Sequence, residues 1–269
     1  MSVQPVTYAP ANGARPQRRQ QGISAMIHGL PKAGKSSLAD SGPRPTLILD
    51  VENSGYWTPS RKLYWDPLRE TVPAWPADPR AESPDGLWDS AIVIIHTYAD
   101  LYELLRILNT GLHPFNSISM DSLTEIQQRI MNELTGGRGE AQMDQQQWGK
   151  LLRHCNGLIR GYRDLLTHPT RQVWSVVYVA GTHQDRATRM WRPLLQGAAQ
   201  DYLPYVPDIE GWVDVRPDGS HHLWIGPSPY YETGDRIWGR LPQDMQLGYP
   251  GYFPGWTIET MLTQLLTNR

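Results

Sequence analysis

The sequence predicts an α/β fold, a mostly parallel sheet flanked by helices and extended towards its C-terminus by a β-hairpin. Three observations lead to this. Short apolar strands alternate with amphipathic helices as far as about residue 180, the pattern of parallel strands joined by crossovers. The first strand runs directly into a glycine-bearing loop, Gly29–Ser37, and then into a helix-compatible stretch. Two later strands flank Pro217-Asp218-Gly219, a tight-turn sequence.

The elements follow in order. Residues 1–21 are rich in Pro, Gln, Arg and Ala without periodicity, and read as a disordered arm carrying Arg15, Arg18 and Arg19. Ile23–His28 is the first strand, and Ser36–Asp40 opens a helix. Thr46–Asp50 is the second strand, ending in Val51-Glu52. Residues 53–89 hold many Pro, Trp and Asp and no period, so they read as a long loop insertion. Ala91–Ile95 is a buried strand by its continuous apolar run. Leu101, Leu104, Leu105 and Leu108 form a helical stripe. Phe115–Met120 is a strand ending at Asp121-Ser122, followed by a helix marked by Leu123, Ile126, Ile130 and Leu134. Gly136-Gly137 breaks that helix, and Thr135–Gln146 is a polar loop containing Arg138. A long helix runs from Trp148 to Leu166 and stops before Pro169. Val173–Ala180 is a strand that ends at Gly181-Thr182-His183. Arg186–Gln200 is an arginine-rich loop or helix. The hairpin pairs Gly211–Val215 with His221–Ile225, residues 226–256 carry little regular structure, and a short helix closes the chain. The expected organisation is thus an arm (1–21), a core domain (22–245) and a C-terminal tail with a short helix (246–269).

Composition sets the outer limits. Net charge is −2 and hydrophobic residues make up 39%, an ordinary polar globular balance that excludes a uniformly basic coat but not a local basic groove. No apolar run is long enough for a transmembrane helix, and the first residues lack a signal-peptide core, so no membrane partner is expected. Cys155 is the only cysteine, which excludes an internal disulfide and fits a cytoplasmic setting.

Gly29, Leu30, Pro31, Lys32, Ala33, Gly34, Lys35, Ser36 and Ser37 satisfy the phosphate-loop pattern G-x4-G-K-[ST]. Glycines let the backbone curl so that several N–H groups aim at one phosphate, and the following helix start adds positive partial charge. Lys35 reaches the β- and γ-phosphates, and the Ser36 hydroxyl is a ligand for Mg²⁺. Of 25 basic residues only four are lysine, and Lys32 and Lys35 both fall in this loop. The pattern implies a nucleoside triphosphate, with ATP the expected one, and Mg²⁺.

Such a site needs an acid at a second strand end to hold the ion, and Asp121 is the candidate. It needs a group to orient or deprotonate water. Glu52 is that candidate, since strand C-termini converge on the ligand crevice of an open parallel sheet. Asp50 shares its face by strand alternation. Thr182 or His183, at the next strand end, is positioned to bond the γ-phosphate or the attacking water. His221 and His222 are adjacent in a strand, face opposite ways, and read as structural.

The segments GLPKAGKSS (29–37), LILDVEN (47–53), SISMDSLTEIQQRI (117–130), WGKLLRHCNGLIRGYRDL (148–165) with VVYVAGTHQ (176–184), and WRPLLQGAAQDYLPYVPDIEGW (191–212) resemble phage RecA-like P-loop ATPases of the single-strand-annealing or recombination type. The resemblance covers roughly residues 22–245 and implies a RecA-like P-loop NTPase core. It implies Glu52 as catalytic glutamate, Asp121 as the Mg²⁺ aspartate beside Ser122, and Thr182 or His183 as sensor. It implies two DNA-contacting loops, the first carrying Arg138 and the second Arg186, Arg189, Trp191 and Arg192. Arginines interleaved with an aromatic suit single-stranded DNA. Gly234–Gly239 resembles a related K-N-R-F-G motif in which the lysine is replaced, leaving Arg236 as a candidate arginine finger across a subunit interface. Expected partners are therefore single-stranded DNA, further copies of the chain in an oligomer or filament, and a single-strand-binding protein. Two alternatives stay open. One is a nucleoside or nucleotide kinase whose lid would be Arg186, Arg189 and Arg192. The other is a generic P-loop partner of DNA processing or packaging.

Overall fold

A computed structural model of the chain describes residues 22–137, 143–237, 239–249 and 254–267. The arm (1–21) and Arg138 lie outside the described residues. The strands are β1 (Ile23–Gly29), β2 (Thr46–Asp50), β3 (Lys62–Tyr64), β4 (Ser90–Ile94), β5 (Ser117–Asp121), β6 (Ser175–Val179), β7 (Thr182–Gln184), β8 (Trp191–Pro193), β9 (Ile209–Val215), β10 (His221–Trp224), β11 (Gly234–Asp235) and β12 (Asp244–Gln246). The helices are α1 (Lys35–Ala39), α2 (Tyr98–Leu108), α3 (Leu123–Thr135), α4 (Gln145–Asp164), α5 (Ala199–Tyr202) and α6 (Ile258–Thr267).

The main sheet runs in the order β12-β10-β9-β1-β6-β5-β2-β4-β3, with β11 added alongside β9. From β9 to β3 every neighbouring pair is parallel. The expected hairpin, β9 and β10, adds the antiparallel end. Strand β6 lies between the phosphate-loop strand β1 and the Asp121 strand β5. Burial on both faces explains the continuous apolar strands. In β1, Met26 joins the core beneath α2, α3 and α4, while Ala25 and Ile27 join the core beneath α1 and α6.

Local sequence accounts for the helix ends. The Thr97 side chain accepts from the Asp100 amide, and Asp100 returns the bond to the cap, a capping box. Asp144 and Gln147 form the same device at α4. Helix α3 stops where Gly136 takes a left-handed φ of 63°.

The 53–89 insertion is not a bare loop. It contributes β3, which pairs parallel with β4, and buries Trp65 and Trp88 around Phe115, with ring centroids 5.7 and 6.2 Å apart. A three-residue strand is too short to show a period, and its partners lie far away in sequence. The insertion is also tied to the end of α1. Asp40 is buried, bonded to Thr58 and Ser60 at 2.6 Å, and paired with Lys62 at 3.1 Å and Arg44 at 2.9 Å. Although burial works against the charge, Arg44 and Lys62 hold the Asp40 carboxyl down to about 2.

Strand β6 ends at Val179, so Thr182 and His183 belong to the separate two-stranded sheet β7–β8 rather than to the end of β6. The arginine-rich stretch is therefore mostly a hairpin, followed by the short α5. The C-terminal helix forms as expected, and residues 226–256 supply the short β11 and β12.

Candidate nucleotide site

The C-terminal edge of the parallel strands opens into a cleft of about 590 Å³. Its walls include Gly29, Pro31, Lys32, Gly34, Lys35, Ser36, Ser37, Glu52, Ser54, Trp57, Asp121, Ser122 and Thr182. Candidate residues from four separate stretches of sequence thus meet in one place.

The loop geometry explains its residue types. Gly29 has a φ of 154°, and a Cβ there would lie 2.1 Å from the Val213 carbonyl oxygen, so β1 passes β9 too closely for any side chain. Gly34 has a φ of 96°, and a Cβ there would stand 3.0 Å from His221 Nδ1. His221 sits 2.8 Å from the Ala33 carbonyl and props the loop from beneath. His222 turns the other way to Asp244, at 2.8 Å, which agrees with the structural reading of the pair. Helix α1 has only five residues, so phosphate attraction rests on the loop and its first free amides more than on a helix dipole. The Lys35 ammonium donates to the Gly29 carbonyl at 2.9 Å and the Leu30 carbonyl at 2.8 Å. Burial pushes its pKa down, opposed by Asp121 and Glu52.

Asp121 ends β5 in register with Asp50 of β2 and Val179 of β6. The helix cap is Ser122, whose side chain accepts from the Glu125 amide. Asp121 is thereby left facing the cleft, on whose wall Ser36 also stands. Burial pushes its pKa up to about 6, Glu52 and Asp50 add repulsion, and Ser36 and Lys35 oppose the rise. Asp121 and the Ser36 hydroxyl are oxygen donors of the kind a hard divalent cation takes when phosphate and water complete its shell, and among the described residues no group of three acidic, histidine or cysteine side chains is arranged to hold a metal by itself.

Asp50 does not stand beside Glu52 as a second free acid. Its carboxylate accepts from the amides of Glu52, Ser54 and Gly55 at 3.2, 3.1 and 2.9 Å. That turn lifts Glu52 onto the cleft wall, where it accepts from the Ser122 hydroxyl. Arg129 of α3 braces the same edge by donating to the carbonyls of Val51, Ile95 and His96 at 2.7, 2.8 and 2.7 Å.

Thr182, not His183, lines the cleft. Alternation along β7 sends the two side chains opposite ways, and His183 Nδ1 is buried without a hydrogen-bond partner among the described residues. An aromatic on the cleft wall, Trp57, has no place in the sequence reading. Trp57 is 81% exposed on the cleft wall, and Tyr56 meets it edge-on at 5.3 Å. The only signal was an aromatic pair four and five positions after Glu52, inside an aperiodic stretch.

The proposed DNA-contacting set divides. Arg186 and Arg189 are exposed in the β7–β8 turn. Arg192 is instead committed to Glu232 through two bonds of 2.8 and 2.9 Å, with Asp201 at 3.5 Å, so it is not a free contact. Trp191 is partly buried against Trp212 at 5.8 Å, while Tyr230, whose carbonyl accepts from the Trp191 amide at 2.7 Å, is 66% exposed. Arg236 lies at the other end of β1, beside Ile23 in a cleft of about 730 Å³ with Arg163 and Arg240, and donates to the Tyr205 carbonyl. Strand β1, seven residues long, separates it from its own phosphate loop by roughly 20 Å.

Residues 21–237 match a family model described as an AAA domain. The chain belongs to the AAA domain family. The match includes every described candidate residue, from Gly29 to Arg236. No curated protein matches the chain. This AAA domain has the architecture of a P-loop ATPase core, a large, mostly parallel sheet flanked by helices with the phosphate loop after its first strand. No helix among the described residues is long and apolar enough to cross a membrane.

Proposed function

We propose that this AAA domain binds and hydrolyses ATP with Mg²⁺ in the cleft at the C-terminal strand edge. The observation that carries the reading is the convergence of Lys35, Ser36, Glu52, Asp121 and Thr182 on that one cleft. Ser36 and Asp121 would hold Mg²⁺, which neutralises phosphate charge when bound. Lys35 meets the terminal phosphates once its bonds to the loop carbonyls are exchanged for phosphate oxygens. Glu52, oriented by Ser122, takes the proton of the attacking water. Thr182 donates to the terminal phosphate. Trp57, a large exposed ring on the wall of a site that takes a nucleoside, stacks on the base.

The finer reading is that hydrolysis serves single-stranded DNA transactions of the recombination or annealing kind, in the cytoplasm and in an oligomer. Arg186, Arg189 and Tyr230 support it by joining exposed guanidinium groups to an exposed ring. Arg236 serves a neighbouring copy, since it stands at the far end of β1 from its own loop.

The test is ATP turnover with and without a single-stranded oligonucleotide. Lys35→Ala abolishes turnover with an unchanged far-UV spectrum, and Glu52→Gln keeps nucleotide binding while slowing hydrolysis by roughly 10²-fold or more. Undiminished turnover in Lys35→Ala overturns the ATPase reading. A rate indifferent to the oligonucleotide overturns the DNA reading alone.

A further inference from the structure

Trp57 stands 81% exposed on the cleft wall, so its ring is placed by its backbone rather than by packing of its own. That backbone is one tight helical turn, Gly55–Trp57, in which the Trp57 amide donates to the Ser54 carbonyl at 3.1 Å. A buried carboxylate grips each end. At the start, Asp50 accepts from the Ser54 and Gly55 amides at 3.1 and 2.9 Å. At the finish, the Thr58 hydroxyl donates to Asp40 Oδ2 at 2.6 Å.

The direction of that last bond is fixed by its neighbours. Lys62 Nζ can only donate, and it bonds both the Thr58 hydroxyl oxygen and Asp40, the latter at 3.1 Å. Thr58 Oγ1 therefore accepts from the ammonium and directs its one hydrogen to the carboxylate, which is nearer at 2.6 Å than the Gly55 carbonyl at 3.2 Å. Arg44 at 2.9 Å and Ser60 at 2.6 Å also donate to Asp40, so the carboxylate stays charged although buried. Asp40 caps the C-terminus of α1, and its amide donates to the Ser36 carbonyl at 3.0 Å. One residue is thus tied on one side to the helix that begins in the phosphate loop, and on the other to the turn that carries the exposed indole.

We propose that Thr58, held by Asp40, is the positioning residue that sets how strongly the cleft recognises a base. The phosphate end and the base end of the cleft are spaced by this one buried link, and the indole stands in place before nucleotide arrives. Without the Thr58 hydroxyl the turn keeps only its Asp50 end, and the indole samples other positions. Binding must then order it, and apparent affinity falls with the fraction of molecules in which the ring is in place. Tripolyphosphate carries no base and is indifferent to the loss. The inference rests on the reading of the cleft as a nucleotide site with Trp57 against the base.

The experiment is titration calorimetry of the full chain with Mg²⁺, comparing β,γ-imido-ATP with tripolyphosphate. Thr58→Val should weaken the nucleotide roughly fivefold, the effect of one net hydrogen bond, and leave tripolyphosphate unchanged. Thr58→Ser should restore nucleotide affinity. Ser60→Ala removes a neighbouring donor to the same carboxylate outside the turn, and should bind both ligands as the unaltered protein does. In a Trp57→Ala background, Thr58→Val should add nothing. The proposal is overturned if Thr58→Val binds the nucleotide normally, weakens both ligands alike, or is matched by Ser60→Ala. If Trp57→Ala does not alter the preference for nucleotide over tripolyphosphate, the base contact falls and the proposal with it. If the unaltered protein binds neither ligand, the reading of the cleft falls as well. Amide exchange of the unaltered protein decides even if Thr58→Val does not fold. A turn already in place gains less than about fivefold protection over residues 54–58 when the nucleotide binds, and a larger gain overturns the proposal.

Discussion

Asp121→Asn should stabilise the protein without nucleotide and disable it with nucleotide. The carboxyl is buried, faces Glu52 and Asp50, and has its pKa raised from 3.8 to about 6. Between those values the native state holds a proton that the unfolded chain releases. Stability therefore falls as pH rises through the window and stays lower above it. At about 1.4 kcal/mol per unit, ionising Asp121 in the folded protein costs up to about 3 kcal/mol at pH 8. Asn is nearly isosteric and carries no charge. For a chain of this size, removing that cost raises the melting temperature by several degrees, on the order of 2–4 °C per kcal/mol. Calorimetry at pH 5 and pH 8 without nucleotide checks this. The melting temperature of Asp121→Asn should exceed that of the unaltered protein at pH 8, and the gap should narrow at pH 5. With ATP and Mg²⁺ the order reverses, because only the unaltered protein gains ligand stabilisation. A variant that melts lower at pH 8 without nucleotide would show that Asp121 is a structural anchor and refute the electrostatic reasoning.

Trp57→Ala should raise KM for ATP roughly tenfold with kcat little changed, the scale of one lost base-stacking contact, whereas Trp57→Phe stays near the original value. Comparing ATP with tripolyphosphate sharpens that result, since the variant should lose discrimination only for the substrate that carries a base. Arg186→Ala with Arg189→Ala should weaken binding to a single-stranded oligonucleotide and lower the magnitude of the slope of log K against log salt by roughly 1.4, from two lost phosphate contacts. An unchanged slope would place the DNA contacts elsewhere.

The elements differ in how legible they were. The phosphate loop is a contiguous run with fixed spacing, so Gly29 and Gly34 are legible in sequence, although the close approach of Val213 and His221 that also demands glycine there is tertiary. Strands β2, β4 and β6 lie inside the sheet and carry near-continuous apolar runs, whereas β5, SISMD, is as buried but alternates Ser with Ile and Met. Asp121 and Glu52 were found because strand ends in a parallel sheet converge. Strand β3 was missed because three residues carry no period and its pairing is wholly tertiary. Thr182 and His183 are equivalent in sequence, and only the direction of β7 separates the residue that lines the cleft from the one that does not. Arg192 read as a free cation because its carboxylate partner, Glu232, lies forty residues away.

The α/β class, the phosphate loop and the strand-end acids were already written in the chain. Each depends on local backbone geometry or on a hydrophobic period carried by neighbouring residues. The fold then settled which polar groups are already spent. Asp50 goes to a turn, Arg192 to an ion pair and His28 to a carbonyl, leaving Glu52, Asp121, Thr182 and Trp57 on the cleft. A polar group serves the cleft only when its partners leave it facing that cleft. Those partners are brought together by the fold across long stretches of chain.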